Sequence, residues 1–240
     1  MLRLPTVSKM QTAMACDAAV VLEHEPDGPP SASAKRGTLL GAWAAASLRG
    51  WKMPDLGRYK IDWNIDELRA YLGAGDILCE AAFALDGDHF AEFLGENIGR
   101  QYPQDGRICG AADILVRNGD HGLLVDIKSG TYPVPEARDN WQLGTLAVMA
   151  ADAFDLETVT GVIVRMERGG TWGFGERHTW DQAQLGIVSN RIRHRERQWR
   201  ESFDLMSAGL SEPIAEQNPG CFFCRAKGCV FSRESKKEAA

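Results

Sequence analysis

Residues 107–130 place the tightest constraint on the fold. RICGAADILVR and HGLLVDIKSG are two apolar runs joined by Asn118-Gly119-Asp120, and such a turn between strand-like segments predicts a hairpin. Each run carries charge where a buried strand tolerates it least: Asp113 in the first, Asp126 and Lys128 in the second. On a strand, residues two apart share a face, so Leu124, Asp126 and Lys128 point one way and Val125 and Ile127 the other. Burying such charges is costly unless they are paired or hold a metal. The hairpin can set Asp113 beside Asp126.

Strands and helices alternate around this unit. ILCEAAFALD is expected to put Ile77, Cys79, Ala81, Phe83 and Leu85 on one face, and HFAEFLG to pair with it across Gly87-Asp88. TVTGVIVRME and TWGFGERHTW predict another hairpin across Arg168-Gly169-Gly170. Helices are expected from Ser8 through Val21 (carrying Cys16), from Ala34 to Arg49 with Gly50 as cap, over Ile65 to Leu72, through EARDNWQLGTLAVMAADAF, and from Gln182 to Ala208. EPDGPPSAS is a loop, and the charged last residues are expected to fray. The fold class is α/β with a central mixed β-sheet flanked by helices. We expect a single domain, 1–240, with a helical part (1–75), a core (76–180) and a last helix with a cysteine cluster (181–240).

The 240 residues suffice for one large core, and 44% hydrophobic with 25% charged residues is ordinary for a soluble protein. No run is apolar enough to span a bilayer, and the N-terminus lacks the pattern of a secretory signal. The expectation is a cytoplasmic protein with no membrane partner. The net charge of -6 gives no global attraction to nucleic acid, so any such contact needs a local basic patch. RIRHRERQWR offers one. Arg193, Arg197 and Arg200 share a helical face, Trp199 can stack on a base or pack beneath the helix, and the alternative is a plain solvated face.

Two carboxylates and a lysine suit metal-dependent phosphodiester hydrolysis. The carboxylates are ligands for Mg²⁺ or Mn²⁺, and the lysine orients water or offsets developing charge. Asp-x-Lys alone is also what a surface ion pair looks like. Three of the six cysteines, Cys221, Cys224 and Cys229, fall in a C-x2-C-x4-C pattern that points to a metal. Cys79 and Cys109 sit in apparent strands and are expected to be core residues, which leaves Cys16 as the best fourth ligand.

GAAD (110–113), VDIKSG (125–130) and QLG (142–144), in this order, resemble the PD-(D/E)XK nucleases, in particular the RecB-type exonuclease branch. The resemblance implies a restriction-endonuclease-like core, with Asp113 and Asp126 as metal ligands, Lys128 as the catalytic lysine, and Gln142 beside the site. Glu80 falls where that branch often carries a strand glutamate; the alternative is a solvated strand position. The sequence departs from the pattern at Gly41, where the branch often has a helix histidine, and at Leu146, where a tyrosine is usual. The metal would then rest on Asp113, Asp126 and the Ile127 carbonyl.

One early cysteine with three late ones is similar to the iron-sulfur nucleases of this branch, the AddB-type and CRISPR adaptation nucleases. That likeness implies a [4Fe-4S] cluster on Cys16, Cys221, Cys224 and Cys229 joining the chain ends; Zn²⁺ and free thiols are the alternatives. The function expected is a DNA nuclease, an exonuclease on single-stranded DNA or DNA with free ends, with any helicase or recombination partner on a separate chain. The rivals are a non-catalytic, metal-stabilised DNA-binding or recombination accessory protein and a zinc-dependent regulator.

Overall fold

The computed structural model describes residues 2–24, 31–57, 63–88, 90–99, 101–103, 105–129, 133–166, 171–218, 221, 224, 226–229 and 231, with Ser33 by its backbone only. Among the described residues seven strands form one mixed sheet: β1 (Asp76–Leu85), β2 (Ala91–Glu96), β3 (Ile108–Asn118), β4 (His121–Lys128), β5 (Thr158–Met166), β6 (Trp172–Phe174) and β7 (His178–Asp181). The order is β2-β1-β3-β4-β5-β6, with β7 also paired to β5. The expected 107–130 hairpin is present as antiparallel β3 and β4. The β4–β5 pair is parallel, with helix α5 (Trp141–Phe154) as the crossover. TWGFGERHTW is not one strand but two. β6 and β7 pair with the two ends of β5 in registers one residue apart, and Gly175 between them gives its N–H to the Ile163 carbonyl. The expected turn at 168–170 lies outside the described residues.

Helices cover both faces. On one lie α5, the long α6 (Gln182–Ser207) and the N-terminal turns, packed through Leu143, Leu146, Leu185, Ile192 and Trp199 onto Phe83, Leu115, Leu124 and Ile163. On the other lie α3 (Ala32–Arg49) and α4 (Ile65–Leu72), packed through Leu40, Trp43 and Leu68 onto Cys79, Ile114, Val125 and Val164. Side-chain caps set the helix starts. Ser31 Oγ accepts from Ala34 N–H, Asn140 Oδ1 from Leu143 N–H, and Asp181 and Gln184 form a capping box. Gly50, at φ 68°, closes α3 as expected. The α5 segment starts later than its sequence suggests because Asn140 caps it, leaving Ala137–Asp139 as a 3-10 turn. No helix among the described residues is long and apolar enough to cross a membrane.

Two further expectations fail. The N-terminal helix is broken into a 3-10 turn (Val7–Lys9), α1 (Met10–Ala13) and α2 (Ala18–Val21), so Cys16 lies in the break and not on a helix. The cause is tertiary. Ala18 N–H goes to the Ile214 carbonyl, and Arg195 of α6 binds both Asp17 (2.8 Å) and the Ala13 carbonyl (3.4 Å). These partners replace the bonds that a continuous helix would make.

The second failure is in β1. Its apolar residues do not share one face. Ile77 and Cys79 pack with the α3 layer, and Ala81, Phe83 and Leu85 with the α5 layer. The strand changes face at Glu80, whose φ is 50°, a left-handed value uncommon outside glycine. On β3, Ile114 and Val116 face the α3 layer, whereas Ile108 and Ala112 pack with the α5 layer. That change falls at Asp113. The ladder pairs Cys79 with Ile114 and Ala81 with Ala112, so the two face changes lie across from each other.

Candidate active site

The face changes mark the site. Glu80 stands across from Asp113 on β3, and continuing the β3–β4 register beyond its last ladder pair, Ile114 with Val125, brings Asp113 across from Asp126. One row of the sheet thus carries three carboxylates. Below it β3 and β4 are zipped; at the row they part. The Ile127 N–H donates to Asp113 Oδ2 at 2.6 Å, so a side chain serves where a ladder carbonyl would. The strands splay around their acidic residues, and the hydrophobic pattern of β4 holds Asp126 and Lys128 on the α5 side, the face of Leu124.

Asp126 is 3% exposed. Lys128 Nζ sits astride its carboxylate, 2.9 Å from Oδ1 with hydrogen-bonding geometry and 2.8 Å from Oδ2 as an ion pair. Oδ2 therefore has a close charge but no directed hydrogen bond. Gln142, in the first turn of α5, completes the group. Its Nε2 donates to Asp126 Oδ1 at 3.2 Å and its Oε1 accepts from Lys128 Nζ at 3.4 Å. The structure brings Asp113, Asp126, Lys128, Ile127 and Gln142 together, with Glu80 in the same row.

Electrostatics follow from the crowding. Burial, then the Asp126 charge, push the Asp113 carboxyl up to about 7; Glu80 adds to this, while Lys128 and the Ile127 N–H oppose it. Burial works against the Lys128 ammonium, but Asp126 and Asp113 outweigh it, and its pKa rises above the ordinary lysine value. Lys128 is therefore a cation at neutral pH. For Asp113 the sign is the reverse of a salt-bridged carboxylate. The folded state binds the proton more tightly than the unfolded chain, so the contribution of Asp113 to stability is fully present below the ordinary carboxylate range and is lost as pH rises through about 7. Asp113→Asn keeps an acceptor for the Ile127 N–H and removes the charge. It should raise the melting temperature of the metal-free protein at pH 8 by roughly 2–4 °C, equivalent to about 1 kcal/mol, and by less at pH 5. Equal effects at both pH values, in thermal melts, would contradict this electrostatic account.

The row suits a hard divalent cation: carboxylate oxygens, one without a directed hydrogen bond, in a cluster whose like charges repel. Among the described residues, which include Cys16, Cys221, Cys224 and Cys229, no three His, Cys, Asp or Glu side chains form a group that could hold a metal ion as they stand. Gly41 faces open space, with nothing within 4 Å of a would-be Cβ. Leu146, 1% exposed, is a core residue.

The cysteines divide as expected between core and chain ends. Cys79 and Cys109 are buried strand residues, and burial, joined by the Glu96 charge, pushes the Cys79 thiol up to about 12. Cys16 and Cys221 bracket one residue: Glu216 N–H donates to Cys16 Sγ at 3.4 Å, and the Cys221 thiol lies 3.7 Å from the Glu216 carbonyl. The Cys224 thiol is raised by burial and by the proximity of Cys229, Cys221 and Cys16. Lys227 N–H donates to the Glu23 carbonyl, and His24 bridges to Ala226, so the two ends of the chain are stitched together at this point. All four thiols are free of disulfides.

The basic helix is less open than its sequence suggests. Arg193, Arg197 and Arg200 are exposed, but Arg193 donates to the Asp88 carbonyl and Arg200 pairs with buried Glu196. Trp199, 0% exposed, packs beneath the helix, so it is not a base-stacking platform.

Sequence reading missed Arg165. It pairs in register with Lys128 on the neighbouring strand. The signal available was a charge ending the apolar run Val162-Ile163-Val164, as Lys128 ends the run on β4.

Fold and site together define a mixed α/β domain with a carboxylate–lysine–glutamine cluster where two strands part. No protein-family model matches the sequence, and no characterised relative does. Solved structures to which the chain is similar include the protein SSO0001, at 14% identity over 84% of this chain and 69% of that one, with a TM-score of 0.34. A protein from Eubacterium rectale assigned provisionally as an exonuclease is 10% identical over 84% of this chain and 76% of its own, with a TM-score of 0.43. An alkaline exonuclease from Laribacter hongkongensis is 10% identical over 87% of this chain and 95% of its own, with a TM-score of 0.35. Scores and identities this low carry no argument about chemistry, which rests on the residues above.

Proposed function

We propose that the protein is a divalent-metal-dependent nuclease of the PD-(D/E)XK type, acting as an exonuclease on single-stranded or end-bearing DNA. The observation that carries this reading is the buried Asp126 carboxylate, gripped by Lys128 and Gln142, with Asp113 across from it. Asp113 and Asp126 would hold Mg²⁺ or Mn²⁺, with the Ile127 carbonyl and Glu80 as further oxygen donors. When bound, the cation supplies Lewis-acid activation of the phosphate and of the attacking water. Gln142 keeps Asp126 and Lys128 in fixed relation. Lys128, already an ammonium, offsets negative charge growing on the phosphate and orients the water. Arg193, Arg197 and Arg200 are the candidate contacts to the DNA backbone.

The test is cleavage of 3′-labelled linear single-stranded DNA in Mg²⁺ and in Mn²⁺, with a circular single strand as the control. Loss of the linear substrate alone supports an exonuclease, loss of both an endonuclease. The second reading, a non-catalytic DNA-binding or recombination accessory protein, has open Gly41 in its favour, since that helix position supplies no ligand. Binding without cleavage in either metal would establish it.

We also propose a structural metal centre on Cys16, Cys221, Cys224 and Cys229, a [4Fe-4S] cluster and otherwise Zn²⁺; the C-x2-C-x4-C pattern and the stitching of the two chain ends carry it, and the side chains as they stand do not yet form a metal-holding group. It would tie the N-terminal turns to the returning C-terminal segment. Iron and zinc analysis of anaerobically purified protein distinguishes them.

A further inference from the structure

Arg165 stands near the end of β5, and in the parallel ladder with β4 it is the partner of Lys128, as Ile163 is of Asp126. Val162, Val164 and Met166 pack with the α3 layer, and Ile163 with the α5 layer. Strand alternation therefore puts Arg165 on the α5 face, where Asp126, Lys128 and Gln142 meet. Its charge is felt at Lys128, where it opposes the upward pull of the carboxylates. On its other side the strand partner is Gly173, which brings no side chain.

Arg165 is half-buried, and its side chain has no hydrogen bond or ion pair among the described residues. The two cations differ in this respect. Lys128 is neutralised by Asp126 at 2.8 Å, whereas Arg165 is held beside it without a carboxylate of its own. Two like charges on adjacent strands repel, and the unused donors of Arg165 are not buried, so a ligand can reach them. An anion bound between them would offset that repulsion and take up the free donors. The planar fork of a guanidinium fits two oxygens of one phosphate, which an ammonium cannot match.

We propose that Arg165 binds the scissile phosphate, donating to its non-bridging oxygens while Lys128 and Gln142 attend to Asp126 and the water. This assignment rests on the nuclease reading. It makes Arg165 a catalytic residue, because the charge on those oxygens changes as the water oxygen bonds to phosphorus and the leaving sugar oxygen departs.

The test compares Arg165→Gln and Arg165→Lys with the wild type. The probe is a 3′-fluorescein single-stranded oligonucleotide, cleaved in Mn²⁺ and, separately, bound in Ca²⁺ by fluorescence anisotropy. The expected result is a kcat about 100-fold lower in the Gln variant with KM changed only a few-fold, partial recovery in the Lys variant, and an unchanged Mn²⁺-induced rise in Tm. Binding in Ca²⁺ should weaken about tenfold in the Gln variant. A Gln variant with wild-type kcat and wild-type binding overturns the proposal and returns Arg165 to a solvated strand end. If the wild type itself does not cleave, the nuclease reading fails, and the binding arm still decides: weakened binding in the Gln variant keeps Arg165 as a phosphate contact, and unchanged binding removes it.

Discussion

Asp126→Asn should lower kcat by roughly 1000-fold or more while leaving the fold intact. The substitution is nearly isosteric, so the packing of β4 between β3 and β5 is untouched. What changes is charge. Asp126 is 3% exposed and is the counter-ion of Lys128, and its Oδ1 is shared with Gln142. An amide offers a divalent cation a much weaker ligand than a carboxylate, and it turns a donor toward the lysine. Cation affinity, lysine position and phosphate alignment fail together, which is why the loss exceeds that expected for one hydrogen bond. Stability should move little. Lys128 retains 28% of its side-chain exposure and can turn to water, and Asp113 remains beside it. The measurement is single-turnover cleavage in Mn²⁺ alongside a thermal melt. A folded Asn variant that cleaves within tenfold of wild type places the active site elsewhere.

How much of this was legible in the sequence depends on where local pattern and tertiary contact agree. The hairpin was legible because Asn-Gly-Asp sits between two apolar runs, and the shared face of Asp126 and Lys128 followed from alternation alone. The convergence of Asp113 on Asp126 needed only the hairpin. Gln142 needed the resemblance, since nothing local distinguishes a glutamine in the first turn of a helix. The face change at Glu80 was not legible. The run of apolar and small residues on either side of Glu80 carries no glycine or proline to mark its φ of 50°. The break at 14–17 was hidden for a similar reason. Its residues suit a helix, and only the carbonyl of Ile214 and the guanidinium of Arg195, Arg195 lying 182 residues from Ala13 and Ile214 farther still, make the alternative better. Arg165 was overlooked because an arginine at a strand end reads as a solvated terminus until the parallel partner is known. Parallel pairing through a crossover helix leaves no local mark.

Cys16→Ala should remove the metal from the chain ends and lower Tm by roughly 10 °C or more, whereas Cys79→Ala should keep the metal. Both cysteines are buried, so burial alone does not separate them. Their surroundings do. Cys79 lies in the middle of a strand beside Glu96, packed in the core of the α3 layer, where burial pushes its thiol up to about 12. Cys16 lies in a turn whose backbone has been pulled out of helix by the C-terminal segment, and its sulfur accepts a backbone N–H from Glu216. The opposite side of the same residue faces Cys221. Cys224 and Cys229 complete the neighbourhood. A centre made here closes a loop of about 200 residues, so its loss frees much of the unfolded chain and also unties the α1–α2 turn from α6. Iron and zinc should be quantified by elemental analysis, with visible absorbance and thermal melts on the same samples. Full metal occupancy in Cys16→Ala would end the assignment. Equal losses in Cys16→Ala and Cys79→Ala would mean that the effect is one of packing and not of ligation.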